Sequence, residues 1–262
     1  MSSSRTERPL VLVVAGHDSS GAAGLDADLD AARALGVETA LVATAHTVQD
    51  ARGVHSVGAR DPQTWLAEAL AVGAPAALKL GLLPGVAHVA AAARLVETLR
   101  VLDGALPVVL DPVLVASSGF AFLDEAARGA LCELLGPPGV IWTPNLPEAA
   151  ALTGRAQGEL SRSLPARVEV AGELLGAGAR GVLIKGGHGE EDPLRDLLLE
   201  SGREPVWIGG ARREGPSLRG SGCRHATALA IGLARGEPLE AAALGAHALV
   251  RTRLEAPAGG QS

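Results

Sequence analysis

RGSGCRH, from Arg219 to His225, opens into the alanine-rich run ATALAIGLARG at residues 226–236. Two glycines flank a hydroxyl residue, a thiol follows at once, and a helical pattern begins at the thiol and runs to about Gly236. A glycine-rich turn feeding a helix N-terminus aims several backbone N–H groups at one point, where the helix dipole also favours negative charge. The stretch reads as an anion cradle. Cys223 lies in its floor, where the same helix end is expected to lower the thiol pKa to roughly 6–8 and make it a usable base or nucleophile. Taken alone, such a turn more often just caps its helix, so the rest of the chain has to decide.

Outward from that helix, strand and helix patterns alternate along the whole chain. LVLVVAG (10–16) is a continuous apolar run ending in glycine, as a buried parallel strand should be. Residues 22–35 place Leu25, Leu29, Ala32 and Leu35 at helical spacing. The same reading predicts strands at 38–44, 76–82, 107–115, 139–145 and 181–187. It predicts helices at 62–72, 85–102, 123–135, 146–153, 166–177, 223–235 and 238–254, and a hairpin at 196–200 and 205–209. Such alternation implies an α/β fold, a mainly parallel sheet covered on both faces, in one domain. Ligands sit beyond the carboxyl ends of such strands. The polar and glycine-rich words lie there: AGHDSSGAAG, Asp111, TPNLPE and KGGH.

Composition narrows the function classes. The chain of 262 residues is 47% hydrophobic but only 2% aromatic, so Ala, Leu and Val must build the core. A net charge of −6 without any basic run argues against a nucleic-acid partner. Lys79 and Lys185 are the only lysines. Two cysteines, Cys132 and Cys223, make no disulfide framework and suit a reducing cytoplasm. MSSSRTERP lacks an apolar signal core, and no apolar stretch is long enough to span a membrane.

AGHDSSGAAGLDADLDAARALG, ATAHTVQDARGV, LKLGLL, VVLDPVLVASSG, TPNLPEAAALTG, VLIKGGH and GSGC occur in this order. Together, over about residues 9–254, they resemble the hydroxymethylpyrimidine and phosphomethylpyrimidine kinases of thiamine synthesis, a branch of the ribokinase-like superfamily. Cys223, where the wider superfamily usually carries Asp, is similar to this branch in particular. The resemblance implies a three-layer α/β/α kinase domain at 9–255, with a disordered tail at 1–8 and a second tail at 256–262. It also implies a cytoplasmic homodimer using Mg²⁺ and ATP. The reaction implied is phosphorylation of 4-amino-5-hydroxymethyl-2-methylpyrimidine, and then of its monophosphate.

By the same resemblance the pyrimidine pocket falls on Gly16, Asp28, Gln49 and Leu82. A carboxylate and an amide suit an aminopyrimidine, one accepting and the other both donating and accepting. Asp111 and Glu148 fall in the metal region, since Mg²⁺ needs only one or two carboxylates beside the phosphates. Asn145 and Lys185 fall against ATP, the lysine as a mobile positive charge. Asn-x-x-Glu is equally a helix-start signal. The cradle is Gly220, Ser221, Gly222 and Cys223, with Cys223 as base. Lys79 is read as snorkelling, Gln49 as lying on a loop, and Arg224 as pointing to solvent. Arg219, His46 and VASSG (Ser117 and Ser118) depart from the family pattern, and His17 is either a pocket or a loop residue. Pyridoxal kinase activity is the near alternative, and a non-catalytic pyrimidine sensor on the same fold the distant one.

Overall fold

The computed structural model describes residues 9–50, 52–116, 119–136, 139–211 and 218–255. The tails expected at 1–8 and 256–262, and Ser117 and Ser118, lie outside the described residues. Strand β1 (Leu10–Asp18) is apolar on both sides because it runs through the interior. Val11 and Val13 pack into one hydrophobic core, Leu12 and Val14 into the other, the period-2 alternation of a strand covered twice. Parallel to it run β2 (Glu38–Asp50), β4 (Ala77–Leu80), β5 (Val108–Leu110), β6 (Ile141–Trp142) and β7 (Gly181–Ile184). β3 (Gly53–Ala59) joins antiparallel at one edge, and β8 (Leu194–Glu200) with β9 (Val206–Gly210) at the other. The nine strands form one sheet in the order β3-β2-β1-β4-β5-β6-β7-β8-β9.

Helices α1 (Gly24–Leu35), α8 (Ser221–Ala234) and α9 (Leu239–Glu255) cover the face that carries Val11, Val109, Ile141 and Leu183. The opposite face, with Leu12, Leu78, Leu110 and Ile184, is covered by α2 (Pro62–Ala71), α3 (Val86–Leu102) and α4 (Glu125–Leu135). It is completed by α5 (Leu146–Thr153), α6 (Gln157–Arg162) and α7 (Leu164–Gly176). The expected three layers are present. Two elements escaped the sequence reading: β3, an edge strand with no buried residue, and the short polar α6. β2 also continues to Asp50, so Gln49 lies on a strand and not on a loop. β5 stops at Leu110, which makes Asp111 the first residue past its carboxyl end.

Candidate active site

Gly220 starts α8 with φ +71°, a left-handed conformation that L side chains avoid. A Cβ there would also stand 2.5 Å from the Ala22 carbonyl oxygen and 2.8 Å from Ala27 Cβ. Glycine is required twice, once for the turn and once so that α8 can pack on α1. The cradle is narrower than the sequence suggests, because the Ser221 N–H is already bonded to the Leu218 oxygen at 3.2 Å. The N–H groups of Gly222 and Cys223 remain in the first turn, where a helix has no partners of its own to offer.

Lys185 and Asp111 converge on that turn. Lys185 follows β7, its Nζ lies 2.6 Å from Asp111 Oδ1, and both side chains are largely buried. A Cβ on Gly222 would lie 3.1 Å from Lys185 Nζ, so the ion pair abuts the helix end directly. Burial pushes the Asp111 carboxyl up, but Lys185 and Lys79 outweigh it and hold it below its ordinary value. Lys185 is displaced the other way: burial opposes its charge, while Asp111 and Glu148 keep it protonated.

Asn145 and Glu148 form a capping box at the start of α5. Asn145 N–H donates to Glu148 Oε2 and Glu148 N–H to Asn145 Oδ1, both at 2.8 Å. The helix-start reading of Asn-x-x-Glu is therefore correct as geometry. The Asn145 carbonyl oxygen is committed to the cap, which leaves its amide nitrogen for a ligand. Glu148 is nonetheless buried beside Asp111 and Lys185, and burial pushes its pKa up to about 7. Among the described residues no group of three or more His, Cys, Asp or Glu forms a metal cage. Two adjacent carboxylates fit Mg²⁺ all the same, since that ion takes its remaining ligands from phosphates and water.

Cys223 departs most from expectation. Its thiol is pushed up to about 12, by burial above all, with Asp28 and Asp111 adding to the effect and Lys79 opposing it. A helix end is worth at most about 1 kcal/mol at an ordinary site, under one pKa unit, whereas burial can shift a group by several. The thiol is neutral in this state, and the expected pKa of roughly 6–8 is corrected.

Asp28 was expected to line a pyrimidine pocket, but its side chain is fully buried. Lys79 Nζ sits 2.9 and 3.1 Å from its two oxygens, and the Thr227 hydroxyl donates at 2.7 Å. Its two oxygens are engaged by Lys79 and Thr227 inside the core, which makes it a buried charge partner of Lys79. Lys79 does not snorkel either. It is wholly enclosed, and although burial opposes its charge, Asp28, Cys223 and Asp111 raise its pKa. Nothing local distinguishes these two residues from surface charges; only the crossing of α1, β4 and α8 buries them together.

Gly16 and Leu82 share one wall, since a Cβ on Gly16 would lie 2.9 Å from Leu82 Cδ2. Gln49 is half-buried at the end of β2, and its amide nitrogen donates to Thr47 Oγ1 at 3.2 Å. At the end of β1 stands a residue that the sequence does not single out. Asp18 gathers the loop after β1, accepting from the backbone N–H and hydroxyl of Ser20 and from Ala23 N–H. The D-S-S-G spelling, an acidic residue followed by turn formers, was the available signal. Arg219 reaches this same carboxylate at 3.5 Å and the Asp50 backbone oxygen at 3.4 Å, tying the turn before α8 to the ends of β1 and β2. Arg224 does not point to solvent: it is buried and paired with Asp30 at 2.7 Å. His17 and His46 meet edge to face at 5.5 Å, and His17 lies 3.5 Å from Asp26.

The sequence and fold have known relatives. Residues 18–261 match the family described as phosphomethylpyrimidine kinase. The hydroxymethylpyrimidine/phosphomethylpyrimidine kinase of Rhizobium meliloti is 37% identical over 254 residues, covering 94% of this chain and 91% of its own. Among solved structures, the phosphomethylpyrimidine kinase of Clostridium difficile superposes with TM-score 0.77 at 26% identity, over 94% of this chain and 100% of that one. The Staphylococcus aureus pyridoxal kinase in complex with AMP-PCP and pyridoxal gives TM-score 0.83 at 27% identity, over 95% and 88%. With the fold, the glycine turn before α8 and the sequence match in agreement, this chain belongs to the phosphomethylpyrimidine kinase family.

Proposed function

We propose that this chain transfers the γ-phosphoryl group of ATP to the hydroxymethyl oxygen of 4-amino-5-hydroxymethyl-2-methylpyrimidine, and then phosphorylates the monophosphate. The observation that carries the reading is the Lys185–Asp111 pair seated against the N-terminal turn of α8. Phosphoryl transfer asks for positioning and charge stabilisation more than covalent help. Lys185 swings from Asp111 towards the phosphates, and the Gly222 and Cys223 N–H groups receive the moving phosphoryl oxygens. Asp111 and Glu148 would hold Mg²⁺, which would supply positive charge against the phosphates, and the Asn145 amide nitrogen faces ATP. Gly16, Leu82 and Gln49 seat the ring, with Asp28 behind them fixing Lys79. In its thiolate form, which gains population as pH rises, Cys223 accepts the hydroxyl proton as that oxygen bonds to phosphorus and the bond from phosphorus to the ADP oxygen breaks. By family resemblance we assign the protein to the cytoplasm as a homodimer.

Phosphorylation of pyridoxal is the second reading, favoured by the likeness to the pyridoxal kinase complex. Purified protein given labelled ATP and each alcohol in turn separates the two. Turnover of the pyrimidine at a higher kcat/KM than pyridoxal is expected. The reverse order would transfer the assignment, and no transfer to either would end it.

A further inference from the structure

Asp196 belongs to none of the groups assigned above, yet it lies beside Lys185. In the antiparallel ladder of β7 and β8 the last pair is Ile184 with Leu197, and the register continued one step sets Lys185 opposite Asp196. Leu183 and Leu198, two residues back on each strand, both pack into the core beneath α8 and α9. By strand alternation Lys185 and Asp196 project to that same side. An opposite-charge pair directly across a ladder is the favourable arrangement for such neighbours. It does not form. Among the described residues Lys185 pairs with Asp111, and Asp196 is engaged elsewhere.

What engages it is specific. Asp196 Oδ1 accepts the Gly186 N–H at 2.7 Å, fixing the residue next to Lys185. Asp196 Oδ2 lies 2.9 Å from His247 Nδ1 on α9 and 3.7 Å from His225 Nε2 on α8. His225 is buried one turn below Gly222, and neither ring nitrogen has a hydrogen-bond partner. Burial holds it neutral, with a pKa of about 4, so it brings no second cation beside Lys185. We propose that His247, backed by the wall of His225, is a positioning residue for phosphoryl transfer: it occupies the Asp196 carboxylate that would otherwise capture the Lys185 ammonium. Lys185 is thereby left to Asp111 and to the phosphates. The inference rests on Lys185 as the phosphate-facing cation of the proposed reaction.

The test is a rescue experiment on the full chain. His247→Leu frees the carboxylate, and kcat/KM for ATP is expected to fall about tenfold while KM for the pyrimidine stays within about twofold. His247→Asn places an amide N–H near the position of Nδ1 and should recover most of the loss. Adding Asp196→Asn to His247→Leu removes the competing charge while keeping an acceptor for Gly186. The double variant should return to the level of Asp196→Asn alone, a coupling that independent sites do not show. Calorimetric ATP affinity should rank the variants in the same order, and thermal melts confirm folding. A double variant no better than His247→Leu would overturn the proposal, as would pyrimidine and ATP constants worsening together. Should the native protein not turn over the pyrimidine, the proposed function fails, while the calorimetric ranking still decides this inference.

Discussion

Cys223 shows how burial overrules a local rule. The turn before α8 ought to acidify a thiol, and burial beside Asp28 and Asp111 does the opposite, pushing it up to about 12. At pH 7 only a small minority of it is then thiolate. If that thiolate is the base, the active form becomes more populated as pH rises, so kcat should climb from pH 7 to 9 without reaching a plateau. Cys223→Asp should flatten the profile, because a carboxylate beside Lys79 is ionised across that range. Cys223→Ala keeps the backbone N–H and loses the base; ATP should still bind while kcat falls by about 10²–10⁴. Near-native turnover in the alanine variant, measured across the same pH range, would reduce the turn to an anion cradle. Glycine spacing makes the position of this residue legible, since it marks a turn, whereas its pKa depends on side chains brought in from β4, α1 and the residue past the end of β5.

At the scale of elements, α1, β4 and α8 are tied by Asp28, Lys79 and Thr227 inside a site with no exposure. Lys79→Met would strand Asp28 without its cation, and breaking a buried pair costs about 3–5 kcal/mol. Denaturant melts should show that loss, and Lys79→Met with Asp28→Leu should recover much of it. A single variant within about 0.5 kcal/mol of native would show that the pair carries no stability, an ordinary result only for surface sites. The capping box of α5 separates structure from charge in the same way. Glu148→Gln keeps a side-chain acceptor for Asn145 N–H, so the melting temperature should hardly move. The Mg²⁺ concentration for half-maximal rate should rise several-fold, because an amide is a weaker ligand for a hard cation. An unchanged Mg²⁺ dependence would leave Glu148 a cap alone. Legibility followed burial here as well. Strong apolar runs such as β1 and β7 were plain, whereas the edge strand β3, without one buried residue, left no pattern to read.

Taken whole, the molecule brings residues from the ends of six strands (β1, β2, β4, β5, β6 and β7) and from the first turn of α8 to a single edge of the sheet, and topology alone does this. The alternation of elements predicts that edge, but not which charges are spent on each other, as Arg224 on Asp30 and Asp28 on Lys79 are. The two ligands should therefore report themselves through global stability. A ligand at about 100 times its Kd adds roughly 2.7 kcal/mol to the folded state. For a chain of this size each kcal/mol raises Tm by about 2–4 °C, so a shift of about 5–10 °C is expected for either ligand. Their dependence on the cation should differ. In the proposed reaction ATP acts through Asp111, Glu148 and Lys185, so EDTA should remove most of its shift by leaving carboxylates facing unscreened phosphates. The same proposal has the pyrimidine act through Gly16, Leu82 and Gln49, which involve no metal, so EDTA should leave its shift intact. Differential scanning fluorimetry with each ligand, with and without EDTA, checks both. A pyrimidine shift lost to EDTA would place the metal at the ring, and an ATP shift that EDTA leaves unchanged would remove Asp111 and Glu148 from the nucleotide site.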